Sequence, residues 1–373
     1  MKRRRSVVSL LFVVVCASTV ALSVLQSASA NHADFNVTRF DDPAPDGCLV
    51  NGCSLREAII AAEANPNPST VHVPAGPPAY SLTRAAAPMT LDAATAMGTA
   101  NDPAVGDLDI RTDVTVSGDG SGQTIIDAGG IDRVFDISTG ATLKLHNLNV
   151  RNGRSRTGFV GHDHGGAIHN HGSLTMTQGA VSGSAVADSA STLWGGGGLT
   201  NAGGAAAVLK NVTFSQNATA NALGGAIENG GTARLFNVTV AGNTSMPGRG
   251  AGIANGGGAG GIGFFASGTV RVNNTLLSSN TGGNCSGVPL TSVGHNISSD
   301  STCAGLTGTG DQTSTTPAMT PVTDSGGYIY LYALTPGPPP NPAVDRGSGP
   351  YDAGTDIGCE AVDQRGMSRP QDG

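Results

Sequence analysis

Four times the chain repeats nearly the same phrase: GGAIHN at 165–170, GGGLTN at 196–201, GGAIEN at 224–229 and GAGIAN at 250–255, at start-to-start offsets of 31, 28 and 26 residues. A second phrase alternates with the first. LKLHNLNVRNG begins at Leu143, LTMTQGAVSGS at Leu174, AVLKNVTFSQN at Ala207, ARLFNVTVAGN at Ala233 and VRVNNTLLSSN at Val270. Apolar residues two apart before the first Asn predict a strand, and the change of phase at that Asn predicts a corner. A unit this short cannot bury its own apolar side, so successive units must stack. The predicted fold is all-β, a single-stranded right-handed parallel β-helix. Each strand then has neighbours one coil above and below at about 4.8 Å, and open edges remain at the two ends.

In that coil Leu145, Met176, Leu209, Leu235 and Val272 are expected to superpose as one column of the core. Asn147, Asn211, Asn237 and Asn274, with Gln178 in one coil, are expected at the corner, where Asn tolerates left-handed dihedrals and stacked amides can bond to one another. Asn211-Val212-Thr213 and Asn237-Val238-Thr239 also read as glycosylation sequons, but the column continues at Asn147 without one. Ahead of the repeats, Ser54-Leu55-Arg56-Glu57 is a capping box opening a short amphipathic helix to about Asn65, with Leu55, Ala58, Ile59 and Ala62 on one face. Such a helix is expected to cap the first coil and block end-to-end pairing.

Composition narrows the alternatives. With 56 Gly in 373 residues and 13% charged residues, the chain is neither a coiled coil nor a solvated tail, and its Gly lacks the three-residue period of collagen. The formal charge is −7, and Lys2, Arg3, Arg4 and Arg5 lie at the extreme start, leaving −7 − 4 = −11 on the remainder. An acidic, Lys-poor chain argues against a nucleic-acid partner. Those cations precede an apolar run from Val7 to Leu25 that ends at Ala28-Ser29-Ala30, the pattern of a secretory signal peptide over 1–30. The competing reading is an uncleaved membrane anchor. The mature chain is expected to start at Asn31, to be secreted or displayed at the cell surface, and to be monomeric with no membrane span.

Export into an oxidising compartment gives the cysteines meaning. Sequence proximity pairs Cys48 with Cys53 and Cys285 with Cys303, and leaves Cys359 over. The expected organisation is an opening segment with the helix over 31–100, β-helix repeats over 101–300, and a C-terminal coil with a Pro-rich closing segment over 301–373.

These motifs carry a family resemblance. GCSLREAIIAAEAN at 52–65, behind Cys48, resembles the CSLREA-type opening segment of secreted bacterial β-helix proteins. GDLDI at 106–110, the GGAIxN copies and Phe214-Ser215-Gln216-Asn217 are similar to the pectin-lyase-like fold and the polymorphic outer-membrane protein repeat. NPAVDRG at 341–347 and DQRGMSRP at 363–370 resemble the closing segment of choice-of-anchor surface proteins. The resemblance implies a solenoid fold and a surface location, without one activity to carry over. In that family a second cysteine follows the RP segment, so the chain ending at Gly373 is expected to be cut short, with the missing partner explaining Cys359.

Two residue groups offer chemistry. GHDHGGAIHNHG gathers four of the eight histidines, His162, His164, His169 and His171, and residues two apart on a strand share a face, so a pair could approach one metal ion. No third ligand is fixed by spacing, and an exposed polar loop accounts for the histidines equally well. Asp107 and Asp109 alternate in GDLDI, with Asp127, Asp132 and Asp136 following, and glycoside hydrolysis needs two carboxyl groups about 5 to 9.5 Å apart. A solvated outer face is the competing account. No cofactor is implied.

Three functions fit: a display or adhesion module binding a polysaccharide, a cell-surface glycan or a protein; a polysaccharide lyase or glycoside hydrolase; and a passive envelope stalk. Adhesion predicts long loops, found at 153–164, 185–195 and 256–268, with Trp194 as a contact residue. An enzyme predicts acidic and basic residues gathered on one face, and a stalk predicts uniform coils. The loops favour adhesion.

Overall fold

The alternating phrases form short strands that pair with their counterparts in the next repeat. The protein is described by a computed structural model over residues 32–85, 102–120, 124–155, 164–186, 195–256, 268–324, 326–335, 340–344, 346–350, 352 and 358–369. One sheet runs in the order β1 (Ala33–Asn36), β2 (Ser69–Val73), β5 (Asp113–Gly118), β8 (Thr142–His146), β11 (Ser173–Ser182), β14 (Ala206–Ser215), β17 (Thr232–Phe236), β20 (Thr269–Asn273) and β23 (Thr291–Gly294). Beyond the corner the same sheet continues through β3 (Tyr80–Ser81), β6 (Ile125–Asp127), β9 (Asn149–Arg151), the second halves of β11 and β14, β18 (Thr239–Ala241), β21 (Leu276–Ser278) and β24 (Ile297–Ser298). A second sheet stacks β4 (Leu108–Ile110), β7 (Phe135–Ile137), β10 (Ile168–Asn170), β13 (Leu199–Asn201), β16 (Ile227–Asn229), β19 (Ile253–Asn255) and β22 (Cys285–Gly287) in strict chain order. The short strands β12 (Ala185–Val186) and β15 (Ala218–Thr219) pair with each other, and single parallel bridges extend the stack to Arg154 on one side and to Thr244 and Thr281 on the other. All of these pairings are parallel; the hairpin β25 (Met319–Thr323) with β26 (Ile329–Leu334) is antiparallel.

The core column is as expected. Met176 lies opposite Leu145 and Leu209, Leu209 opposite Leu235, and Leu235 opposite Val272, all at most 1% exposed. Leu235→Ala should therefore cost about 2 to 5 kcal/mol in lost transfer and cavity terms, measured by urea unfolding. A loss below about 0.5 kcal/mol would contradict a core role for this column.

The corner dihedrals also agree, but the amide ladder does not. Asn147, Gln178, Asn211, Asn237 and Asn274 all have φ between +48° and +55°. Their side chains, however, do not bond to one another along the stack. Asn211 donates to the Val362 carbonyl at 3.0 Å and accepts from Arg369, Asn274 bonds to Ser348, and both amide atoms of Asn237 are buried without a partner. Two of the corner side chains, Asn211 and Asn274, meet the C-terminal segment instead of their own kind. The ladder runs through the Asn that closes each GGAIxN phrase: Asn170 donates to Asn201 and Asn201 to Asn229 at 2.7 Å each, and Asn229 to Asn255 at 3.0 Å. A second ladder links Asn217, Asn243, Asn280 and Asn284 at 2.9 to 3.0 Å.

Helix α1 (Leu55–Ala64) carries the capping box, with Ser54 Oγ accepting from the Glu57 backbone and Glu57 accepting from the Ser54 backbone. Leu55, Ala58, Ile59 and Ala62 are buried against the first strands. Arg56 adds a contact that amphipathicity does not predict. Its fully buried guanidinium pairs with Asp42 and donates to the carbonyls of Pro103, Gly106 and Asp107 beside β4, the terminal strand of the second sheet.

Both expected disulfides are present, Cys48–Cys53 and Cys285–Cys303, and Cys359 is a free thiol. Burial pushes the Cys359 thiol upward, opposed by Arg369. It should accordingly alkylate slowly at neutral pH and faster at pH 9 or above in intact-mass labelling, whereas fast labelling at pH 7 would contradict its burial.

The described residues of the C-terminal segment from 319 onward fold back across the strands beyond the corner. Asp324 takes Arg151 at 2.6 Å, Ser215 donates to the Ile329 carbonyl, and Gln364 accepts from Thr213 at 2.7 Å.

Candidate functional site

The middle residues of the second sheet's strands fall in one row: Asp109, Asp136, His169, Thr200, Glu228, Ala254 and Ser286, each opposite the next. Their flanking residues, such as Leu108, Ile110, Phe135 and Ile137, fill the core, so strand alternation turns the row to the other side. Thr200 and Glu228 are committed to structure, since Thr200 Oγ1 donates to the Gly195 carbonyl at 2.7 Å and Glu228 accepts from the Gly195 N–H at 2.9 Å.

The other end of the row is a cluster of acids and bases. Arg133 spans two carboxylates, Nε to Asp107 at 2.7 Å and Nη2 to Asp136 at 2.8 Å, and Arg111 reaches Asp109 at 3.0 Å. His169 lies 3.7 Å from Asp136, too far for a hydrogen bond, and its ring stacks on His164 and meets His171 edge-on at 4.2 Å. The carboxylates of GDLDI and His164, His169 and His171 thus belong to one cluster, because only β7 separates β4 from β10. Arg133 escaped the sequence reading. The available signal was register: Asp109, Asp136 and His169 occupy one slot of successive repeats, and Arg133 lies three residues before Asp136.

The environment divides the two paired carboxyls. Burial, and then the Asp107 charge, push Asp109 up to about 8 against the pull of Arg111. Asp136 is held well below the usual carboxylate range, since Arg133 and then His169 outweigh the burial that opposes ionisation. His171 is held down to about 4 by desolvation of its ring and by the neighbouring His169. Among the described residues, Arg133 Nη1 and His169 Nδ1 are buried with no hydrogen-bond partner, on side chains each 6% exposed.

Stability should register the Asp109 shift. A carboxyl raised from 3.8 to about 8 binds more protons folded than unfolded between those values, so its contribution is complete below pH 4 and lost as pH rises towards 8. Asp109→Asn should flatten that decline in a series of urea melts, and an unchanged pH profile would contradict the burial of the charge.

Among the described residues no three of His, Cys, Asp and Glu are grouped to hold a metal ion. His162, Trp194 and most of the three long loops lie outside the described residues. No described helix is long and apolar enough to cross a membrane. Family models, curated proteins and solved structures contain no match to this chain.

Proposed function

We propose that this chain is a secreted right-handed parallel β-helix, akin to the CSLREA and choice-of-anchor surface proteins it resembles, that binds a glycan at the Asp109–Asp136–His169 end of its second sheet. Strand order, parallel register and two disulfides support the scaffold and an oxidising compartment. The binding reading rests on one observation: Arg133 Nη1 and His169 Nδ1 are buried polar atoms that make no hydrogen bond among the described residues, beside carboxylates that accept hydrogen bonds. Unmet buried groups of this kind are costly, and a hydroxyl-rich ligand both donates and accepts. Mature protein on a glycan array should bind, and His169→Ala should weaken binding at least about tenfold, the loss of about 1.4 kcal/mol, with an unchanged thermal melt. Binding undisturbed by His169→Ala would place the site elsewhere, in keeping with loop-borne adhesion.

A hydrolytic reading of the same site has its own support. Asp109 and Asp136 occupy paired positions on adjacent parallel strands, which brings both carboxyls into one row; a retaining acid and nucleophile need their carboxyl groups about 5 to 5.5 Å apart. Their proton affinities are driven apart, the protonated Asp109 suiting the acid and the ionised Asp136 the nucleophile. Release of reducing ends by wild-type protein, lost in both Asp109→Asn and Asp136→Asn, would establish this reading; binding without product would exclude it.

A further inference from the structure

Between α1 and the start of the second sheet lies a cleft of about 310 Å³, at the small end of the range of about 300 to 1,000 Å³ for ligand pockets. Its wall is mostly apolar, from Ile59 and Ile60 on the helix and Pro103 and Leu108 on the facing chain. Two carboxyl residues, Glu63 and Asp109, line it; the Asp109 side chain is 3% exposed, and its partner Arg111 stands at the rim, 39% exposed.

We infer that this cleft binds a small organic cation, an alkyl- or aryl-ammonium, with its apolar body against Ile59, Ile60, Pro103 and Leu108 and its charge on Asp109. Charge complementarity decides the class of ligand. The other charged groups around the cleft are already engaged: Arg56 with Asp42 and three carbonyls, Glu63 with the backbone N–H groups of Arg111 and Thr112 and the Thr112 hydroxyl, and Arg133 with Asp107 and Asp136. Asp107, just before that strand, and Asp136 with His169 on the next two strands, add no uncompensated positive charge towards Asp109. An apolar anion would meet the buried carboxyl instead. A neutral alcohol gains the apolar wall but brings no charge to that carboxyl.

The exchange balances as a proton release. The protonated Asp109 and the ammonium ion give an Asp109 carboxylate paired with the ammonium, and one proton leaves to solvent. Affinity should therefore rise as pH approaches the value of about 8 to which burial lifts Asp109, by up to about tenfold per pH unit, and level off above it. This inference does not depend on glycan binding, because its probe carries no sugar.

The test is calorimetry on the full mature chain with benzylammonium, and with benzyl alcohol as the neutral match, from pH 6 to 9. Support requires that the amine bind at least about tenfold more tightly than the alcohol at pH 8, that its affinity fall towards pH 6, and that buffers of different ionisation heat reveal proton release. Asp109→Asn should remove both the preference and the pH slope, and Ile60→Trp, which fills the cleft from a half-buried position, should abolish binding while leaving Asp109 in place. Equal binding of amine and alcohol, an affinity independent of pH, no binding at millimolar amine, or full binding to Ile60→Trp would each overturn the proposal.

Discussion

Replacing Arg56 by alanine is expected to remove about 3 to 5 kcal/mol of unfolding free energy, the cost of stranding one member of a buried ion pair. The Asp42 side chain is 2% exposed, so its carboxylate would lose the guanidinium at 2.8 Å and gain no water in exchange. The carbonyls of Pro103, Gly106 and Asp107 would lose their donor at the same time. These carbonyls stand where the second sheet ends at β4, a place that in the middle of the stack is served by the next parallel strand. Arg56 thus performs for the sheet end what a neighbouring coil performs elsewhere. Arg56→Met with Asp42→Leu, which removes both charges, should recover part of the loss in urea unfolding followed by circular dichroism. If Arg56→Ala costs less than about 1 kcal/mol, solvent satisfies the sheet end and the helix acts through its apolar face alone.

Period-two alternation, the phase break at Asn and the spacing of the phrases were enough to place Leu145, Met176, Leu209, Leu235 and Val272 in a single column, because each depends on local geometry repeated down the chain. The capping box and the apolar face of α1 were legible for the same reason. Arg56 was not legible as a buried residue. Its partners lie 14 residues before it, and about 47 to 51 after it, and no local pattern reports such separations. The site shows the same limit. Asp107 and Asp109 stood out by alternation and the histidines by density, but their union across β7 required the register of three coils and the reach of Arg133. The contacts of Asp324, Ile329 and Val362 with Arg151, Ser215 and Asn211 likewise leave no periodic trace, since those residues lie across the strands and do not continue their repeat.

The misplaced amide ladder can be tested by treating two asparagines alike. Asn229 sits midway in the chain of four, accepting from Asn201 at 2.7 Å and donating to Asn255 at 3.0 Å, and it is fully buried. Asn229→Ala leaves the Asn201 amide and the Asn255 carbonyl oxygen each short of a partner, and with about 1 to 3 kcal/mol per unsatisfied buried group the expected loss is about 2 to 6 kcal/mol. Asn237 occupies the corner at φ +54° with both amide atoms buried and unpartnered. Asn237→Gly removes those atoms and accepts the left-handed backbone without strain, so it should change stability by no more than about 1 kcal/mol in either direction, the gain in satisfied burial offsetting the greater freedom of the unfolded chain. Denaturant melts of the two variants should therefore separate widely although both remove an asparagine from the same repeat. Equal losses at the two positions would restore the corner column as the ladder; a large loss at Asn237 alone would mean that its amide finds partners the folded chain does not show, and that the phrase GGAIxN ends in Asn for the turn it makes and not for the bonds it forms.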